Sequence, residues 1–135
     1  MLCLQARHIL QLYRGQVYDS CLAHYSEAAT FEDPALALNG TDEIKHVFRS
    51  RKRQLNPVQI SSEIEYSPDR IRIRLLQQYT LPLSSPLNLP SLVVLHLDDD
   101  GKIARHEELW NGQPLFEFGA AMSRRLNGLL AAAFS

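Results

Sequence analysis

Ile60-Ser61-Ser62-Glu63-Ile64-Glu65-Tyr66-Ser67-Pro68-Asp69-Arg70-Ile71-Arg72-Ile73-Arg74-Leu75 alternates in polarity with a period of two on both sides of a proline. That period is the signature of a half-buried strand, and a breaker between two such runs folds them into a hairpin. Centring the turn on Ser67-Pro68 sets Ile64 opposite Ile71, Ser62 opposite Ile73 and Ile60 opposite Leu75 on one face. The other face then opposes Glu65 to Arg70 and Glu63 to Arg72. Apolar pairs on one side and opposite charges on the other are what cross-strand pairing favours, at about 0.2–1 kcal/mol per pair. An antiparallel sheet with one face toward a core is therefore expected.

Outward from this hairpin the period changes. On its N-terminal side, Ile44, Val47, Phe48 and Leu55 trace a helical stripe that opens with Asp42 and Glu43 after the turn Asn39-Gly40-Thr41 and closes at Pro57. Arg49, Arg51, Lys52 and Arg53 form its basic end, where cations suit the helix dipole and solvated charge is the expected state. Farther upstream, Leu4, His8, Ile9, Leu12 and Tyr13 are helically spaced, and Gly15 separates them from a second short run through Val17, Cys21, Leu22 and Tyr25. Between these helices and the third, Ala29 to Pro34 is extended, with Asp33 at the strand end because Pro34 disfavours helical dihedrals before it.

On the C-terminal side, a proline-rich connection from Leu81 to Pro90 leads to a strand from Leu92 to Leu97. Asp100-Gly101 is a two-residue turn signal that returns the chain through Trp110. Pairing across it groups Val93, Leu95, Leu97, Ala104, His106 and Glu108 on one face, continuing to Trp110, and puts Val94, His96, Ile103, Glu107 and Leu109 on the other. After a Gly112-Gln113-Pro114 break, Met122, Leu126, Leu129 and Leu130 fit a closing helix.

The chain's 135 residues suit one domain, 1–135, and 45% apolar with 21% charged residues excludes whole-chain disorder. A net charge of -1 supplies no global field toward nucleic acid or anionic lipid, and the basic residues lack interleaved aromatics, so neither partner is expected. No apolar stretch approaches the roughly 20 residues of a membrane span, and a cytoplasmic location is expected. Cys3 and Cys21 lack metal-ligand spacing, and no nucleotide, serine-hydrolase or zinc-protease motif occurs, so no cofactor and no metal are expected.

Helices, an Asp-Pro corner, a glycine turn, another helix and a long antiparallel sheet make an α+β order. The stretch Tyr25-Ser26-Glu27-Ala28-Ala29-Thr30-Phe31-Glu32-Asp33-Pro34, followed by Asn39-Gly40-Thr41-Asp42-Glu43-Ile44, resembles the SnoaL-like and ketosteroid-isomerase-like members of the NTF2-like superfamily. The likeness covers about the first 50 residues and continues as strand pattern through Trp110. The segment beyond Trp110 resembles the longer tails of fungal SnoaL-like proteins. The resemblance implies a cone: N-terminal helices packed on a curved, mainly antiparallel sheet around an apolar pocket. It also implies that Asp33 stands where the isomerases have their base. The isomerase oxyanion pair does not carry over, because Ile9 and Val93 fall at its positions.

Within such a cone, desolvation suits Asp33 to accept a proton near neutral pH. His106 and Glu108, two apart on one strand and roughly 6–7 Å apart, would supply an acid or shuttle and its orienting group across the same hollow. Tyr79 and Trp110 would shape the pocket, with Tyr25 and Leu95 also contacting substrate. Two uses of this cone follow. One is a cofactor-independent isomerase, cyclase or dehydratase acting on a small apolar metabolite, of polyketide or terpenoid type by the resemblance. The other is a non-catalytic ligand-binding or dimerisation module in which Asp33 only caps its turn and His106 with Glu108 is a buried core pair. Val94 and Leu109 beside His96 on the outer face make a homodimer the expected assembly under either.

Overall fold

The computed structural model describes residues 4–80, 83 and 85–110. The chain runs through helix α1 (Leu4–Tyr13), the single turn α2 (Asp19–Leu22), strands β1 (Tyr25–Glu32) and β2 (Ala37–Asn39), helix α3 (Thr41–Leu55), and strands β3 (Val58–Ser67), β4 (Arg70–Tyr79), β5 (Leu87–Leu97) and β6 (Ile103–Trp110). The strands form one sheet in the order β2-β1-β6-β5-β4-β3. Every neighbouring pair is antiparallel except β1 with β6. This is the expected α+β arrangement, a mainly antiparallel sheet carrying its helices on one face. The expected closing helix and Cys3 lie outside the described residues.

Helix α1 ends because Gly15, at φ +84°, takes the left-handed conformation that a Cβ disfavours, and its N–H donates to Leu12 O at 3.0 Å. The second helical run is shorter than its spacing implies: α2 stops at Leu22, and Tyr25 opens β1. For α3 the N-cap is Gly40 rather than a hydroxyl, and Glu43 folds back to accept the Asn39 N–H at 3.0 Å. Asn56, left-handed at φ 42°, ends the helix ahead of Pro57. The core is closed by Ile9, Leu12 and Tyr13 of α1 and Ile44, Val47 and Phe48 of α3 against Ala29, Phe31, Ile71, Ile73, Val93, Leu95 and Ile103 of the sheet.

The central hairpin is offset by two residues from the expected register. Its loop is Pro68–Asp69, so Ser67 pairs with Arg70, Tyr66 with Ile71, Ile64 with Ile73 and Ser62 with Leu75. A two-residue slip preserves which face each side chain occupies. Charge opposition also survives, now as Glu65 with Arg72 and Glu63 with Arg74. A bulge leaves Ile60 without a partner and turns it outward, 53% exposed, where an apolar pair with Leu75 was expected.

Strand β5 begins earlier than the proline-rich sequence indicates, at Leu87. Pro90 is tolerated because it lies beyond the last β5–β6 pair, Ser91 with Trp110, where β5 is flanked by β4 alone among the described residues. At the other end, Asp98 rather than the expected two-residue turn organises the reversal: its backbone N–H donates to Lys102 O, and its Oδ1 accepts the N–H groups of Asp100 and Lys102. A second bulge, at Ala104, then brings Ile103 opposite Leu97 and into the core, so Ile103 is not on the outer face.

Candidate active site

Three elements converge on Arg51. From α3 it reaches inward between the rings of Phe31 and Phe48, with its guanidinium carbon 5.4 and 5.6 Å from their centroids. One terminal nitrogen donates to Asp33 Oδ2 at the end of β1, and the other to Glu108 Oε1 on β6 at 3.2 Å. Its side chain is only 13% exposed and both carboxylates are 1% exposed. Arg51 was expected among the solvated charges at the helix end. Its place on the Ile44, Val47, Phe48, Leu55 stripe was the signal, and burial follows because that stripe faces the sheet.

Asp33 caps its turn, as its sequence context offered, and also pairs with Arg51. Oδ1 accepts the N–H groups of Ala35 and Leu36 at 2.7 and 2.6 Å, closing the turn around Pro34, while Oδ2 takes Arg51. Burial raises the Asp33 pKa above the ordinary aspartate value, against the opposing pull of Arg51 and the two amides. Glu108 is displaced the other way. Burial works to raise it, but Arg51 and hydrogen bonds from Tyr13 (2.6 Å) and the Trp110 indole (2.6 Å) hold it below the ordinary glutamate value. The two carboxyls that flank one cation are thus displaced in opposite directions, Asp33 upward and Glu108 downward.

Behind Glu108 the hydrogen bonds fix a single direction. Tyr13 gives its one proton to Glu108, so its oxygen accepts from His106 Nε2 at 2.9 Å. Burial lowers the His106 pKa to about 3, so the ring is neutral and its Nδ1 accepts from the Tyr25 hydroxyl at 2.8 Å. The chain of donation therefore runs Tyr25 to His106 to Tyr13 to Glu108. Tyr13 was not singled out from the sequence; its apolar helical spacing gave no sign of a polar duty. Replacing Tyr13 by phenylalanine orphans His106 Nε2 and removes a donor from Glu108. The expected loss is about 1–3 kcal/mol of unfolding free energy, read by urea denaturation.

A cavity of about 360 Å³ adjoins this network. Among the described residues its walls are Ala35, Leu36, Val47, Leu55, Leu87 and Leu89 with the Tyr79 and Trp110 rings, and its polar lining is Asp33, Arg51, Ser50 and Gln54. Of the expected site residues, Asp33, Tyr79 and Trp110 line it. His106, Glu108, Tyr25 and Leu95 do not: they are buried outside its lining, at 0%, 1%, 5% and 0% exposure. The hollow shared by Asp33 and His106 is accordingly replaced by a layered arrangement. His106 is held between two tyrosine hydroxyls and against Phe31 (4.6 Å between centroids), and Glu108 meets the cavity only through Arg51 and Trp110. Tyr79 donates its hydroxyl to Gln77 Oε1 at 2.8 Å, and burial pushes its pKa up to about 12. Among the described residues no group of three or more His, Cys, Asp or Glu side chains is placed to hold a metal ion. No helix there is long and apolar enough to cross a membrane.

No family model matches the sequence, and no curated protein matches it. Solved structures do match. A ketosteroid-isomerase-like protein from Catenulispora acidiphila, in complex with trimethylamine, superposes with a TM-score of 0.69 at 10% identity, covering 92% of this chain and 93% of that one. A putative polyketide cyclase from a Silicibacter species gives 0.66 at 18% identity, covering 78% and 85%. An epoxide hydrolase from M. tuberculosis gives 0.64 at 12% identity, covering 96% and 92%. At these identities the likeness establishes the ketosteroid-isomerase-like, NTF2-like fold and carries no fungal subtype.

Proposed function

We propose that the chain is a cofactor-independent acid–base enzyme acting on a small, largely apolar molecule, by isomerisation, cyclisation or dehydration through proton transfer. The observation that supports this most strongly is a buried carboxyl, Asp33, at the wall of an apolar 360 Å³ cavity, tied through Arg51 to a second buried carboxyl, Glu108. In this reading Asp33 accepts a proton from substrate carbon or oxygen and returns it to another substrate atom. Arg51 holds the conjugate forms in place. Glu108, fixed by Tyr13 and Trp110, keeps Arg51 oriented, and His106 positions Tyr13. Tyr79 and Trp110 shape the cavity. Similar structures on the same fold include a putative polyketide cyclase and an epoxide hydrolase, which supports small-molecule chemistry in such a cavity.

One observation favours the non-catalytic alternative: both Asp33 oxygens already accept hydrogen bonds. A test separates the two. The purified protein is incubated with neutral hydroxyketones, epoxides and enones in deuterated water, and products and deuterium incorporation are followed by mass spectrometry. Turnover or exchange that depends on Asp33 supports the enzyme; saturable binding of the same compounds without either supports the module.

A further inference from the structure

Helix α3 contributes Val47, Ser50, Arg51, Gln54 and Leu55 to the cavity wall. Two of these have no task in the fold. Among the described residues, neither Ser50 nor Gln54 makes a side-chain hydrogen bond or an ion pair. A serine within a helix often spends its hydroxyl on the carbonyl one turn back, so an unspent Ser50 keeps both a donor and an acceptor for what enters the cavity. Gln54 keeps an amide with the same double capacity. Four residues apart, the two are neighbours on one helix face, with Cβ atoms about 5–6 Å apart, and one ligand oxygen can reach both. Exposed polar side chains on a helix are ordinarily solvated surface. These two share their flank with Val47, at i, i+3 and i+7, and that flank closes over the apolar wall.

Burial separates the polar groups into two places. Asp33 is 1% exposed and Arg51 13%, whereas Ser50 is half-buried and Gln54 exposed. The rest of the described wall is aliphatic or aromatic. We infer that Ser50 and Gln54 form a second recognition point toward the cavity mouth, which selects small molecules carrying two oxygens on one apolar body, one at the Asp33 end and one at α3. The inference deepens the proposed function and rests on its reading of the cavity as the ligand site. At about 30 Å³ per non-hydrogen atom, the liquid share of a water molecule, the 360 Å³ cavity holds about a dozen such atoms.

Trp110 is the sole tryptophan of the chain and lines this cavity, so its emission reports occupancy. The probes are p-menthane, dihydroterpineol and terpin, one saturated carbon frame with no, one and two hydroxyls, and terpin has the size the volume admits. On a wall that offers no partner, an added hydroxyl weakens binding, because it loses water and gains nothing. Here terpin is expected to bind about three- to tenfold tighter than dihydroterpineol, the worth of one recovered hydrogen bond. Ser50→Ala combined with Gln54→Ala is expected to erase that gap. Alanine suits a helix interior, and neither replaced side chain holds another described residue, so the double variant is expected to fold. Terpin binding no tighter than dihydroterpineol overturns the second recognition point and leaves the cavity standing as a ligand site. A gap that persists in the double variant overturns its assignment to Ser50 and Gln54. Failure of all three probes to change Trp110 emission overturns the inference together with the reading of the cavity on which it rests.

Discussion

Asparagine in place of Asp33 lowers turnover of any substrate by about 10²–10⁴-fold, the contribution of a positioned proton carrier. An asparagine side-chain oxygen can still accept the Ala35 and Leu36 amides that close the turn, and Glu108 still neutralises Arg51, but the introduced amide then turns a donor toward the guanidinium. A lowered urea midpoint is therefore expected beside the loss in kcat, which is read under conditions where the variant is folded. Steady-state kinetics beside a denaturation curve measure both. Unchanged turnover in Asp33→Asn removes Asp33 from the role of base.

Methionine in place of Arg51 has the opposite signature, a large effect on stability. It strands two carboxylates, each 1% exposed, with no cation between them. Removing one partner of a buried ion pair costs about 3–5 kcal/mol, because the remaining charge cannot be resolvated. Without the guanidinium, burial raises both carboxyls above their unfolded-state pKa values. Stability is then present at low pH and lost as pH rises through the raised folded values. The deficit of R51M relative to the natural chain is accordingly expected to shrink on acidification. It is also expected to shrink when D33N and E108Q are added to R51M, since the triple variant leaves no buried charge. Guanidinium denaturation across pH reads both trends. A pH-independent deficit, or one undiminished in the triple variant, contradicts a charge-based account of Arg51.

How much of this was legible in the sequence depends on which physical rule each residue obeys. The sheet faces were legible because a period of two survives a two-residue slip: the hairpin turn fell at Pro68–Asp69 rather than Ser67–Pro68, yet Ile64, Ile71 and Ile73 kept their side. The bulges at Ile60 and Ala104 were not, since nothing local marks them; they answer to sheet curvature and to where Ile103 must pack. Asp33 was legible through its Asp-Pro corner. Arg51 was misread, because charge was weighed above its position on the apolar stripe of α3. His106 and Glu108 were correctly placed on the inward face of β6, but inward is not the same as cavity-facing. Whether a buried polar pair meets a ligand or other side chains is decided by residues distant in sequence, here Tyr13 and Tyr25.

The account turns on a division of labour between two carboxyls that share one arginine, and site-resolved titration of their carboxyl carbons by carbon-13 NMR measures it directly. Asp33 is expected to titrate above the ordinary aspartate value of 3.8, and Glu108 below the ordinary glutamate value of 4.5. The reverse order, with Glu108 protonating first and Asp33 remaining ionised, contradicts it and leaves the cavity without its proton carrier.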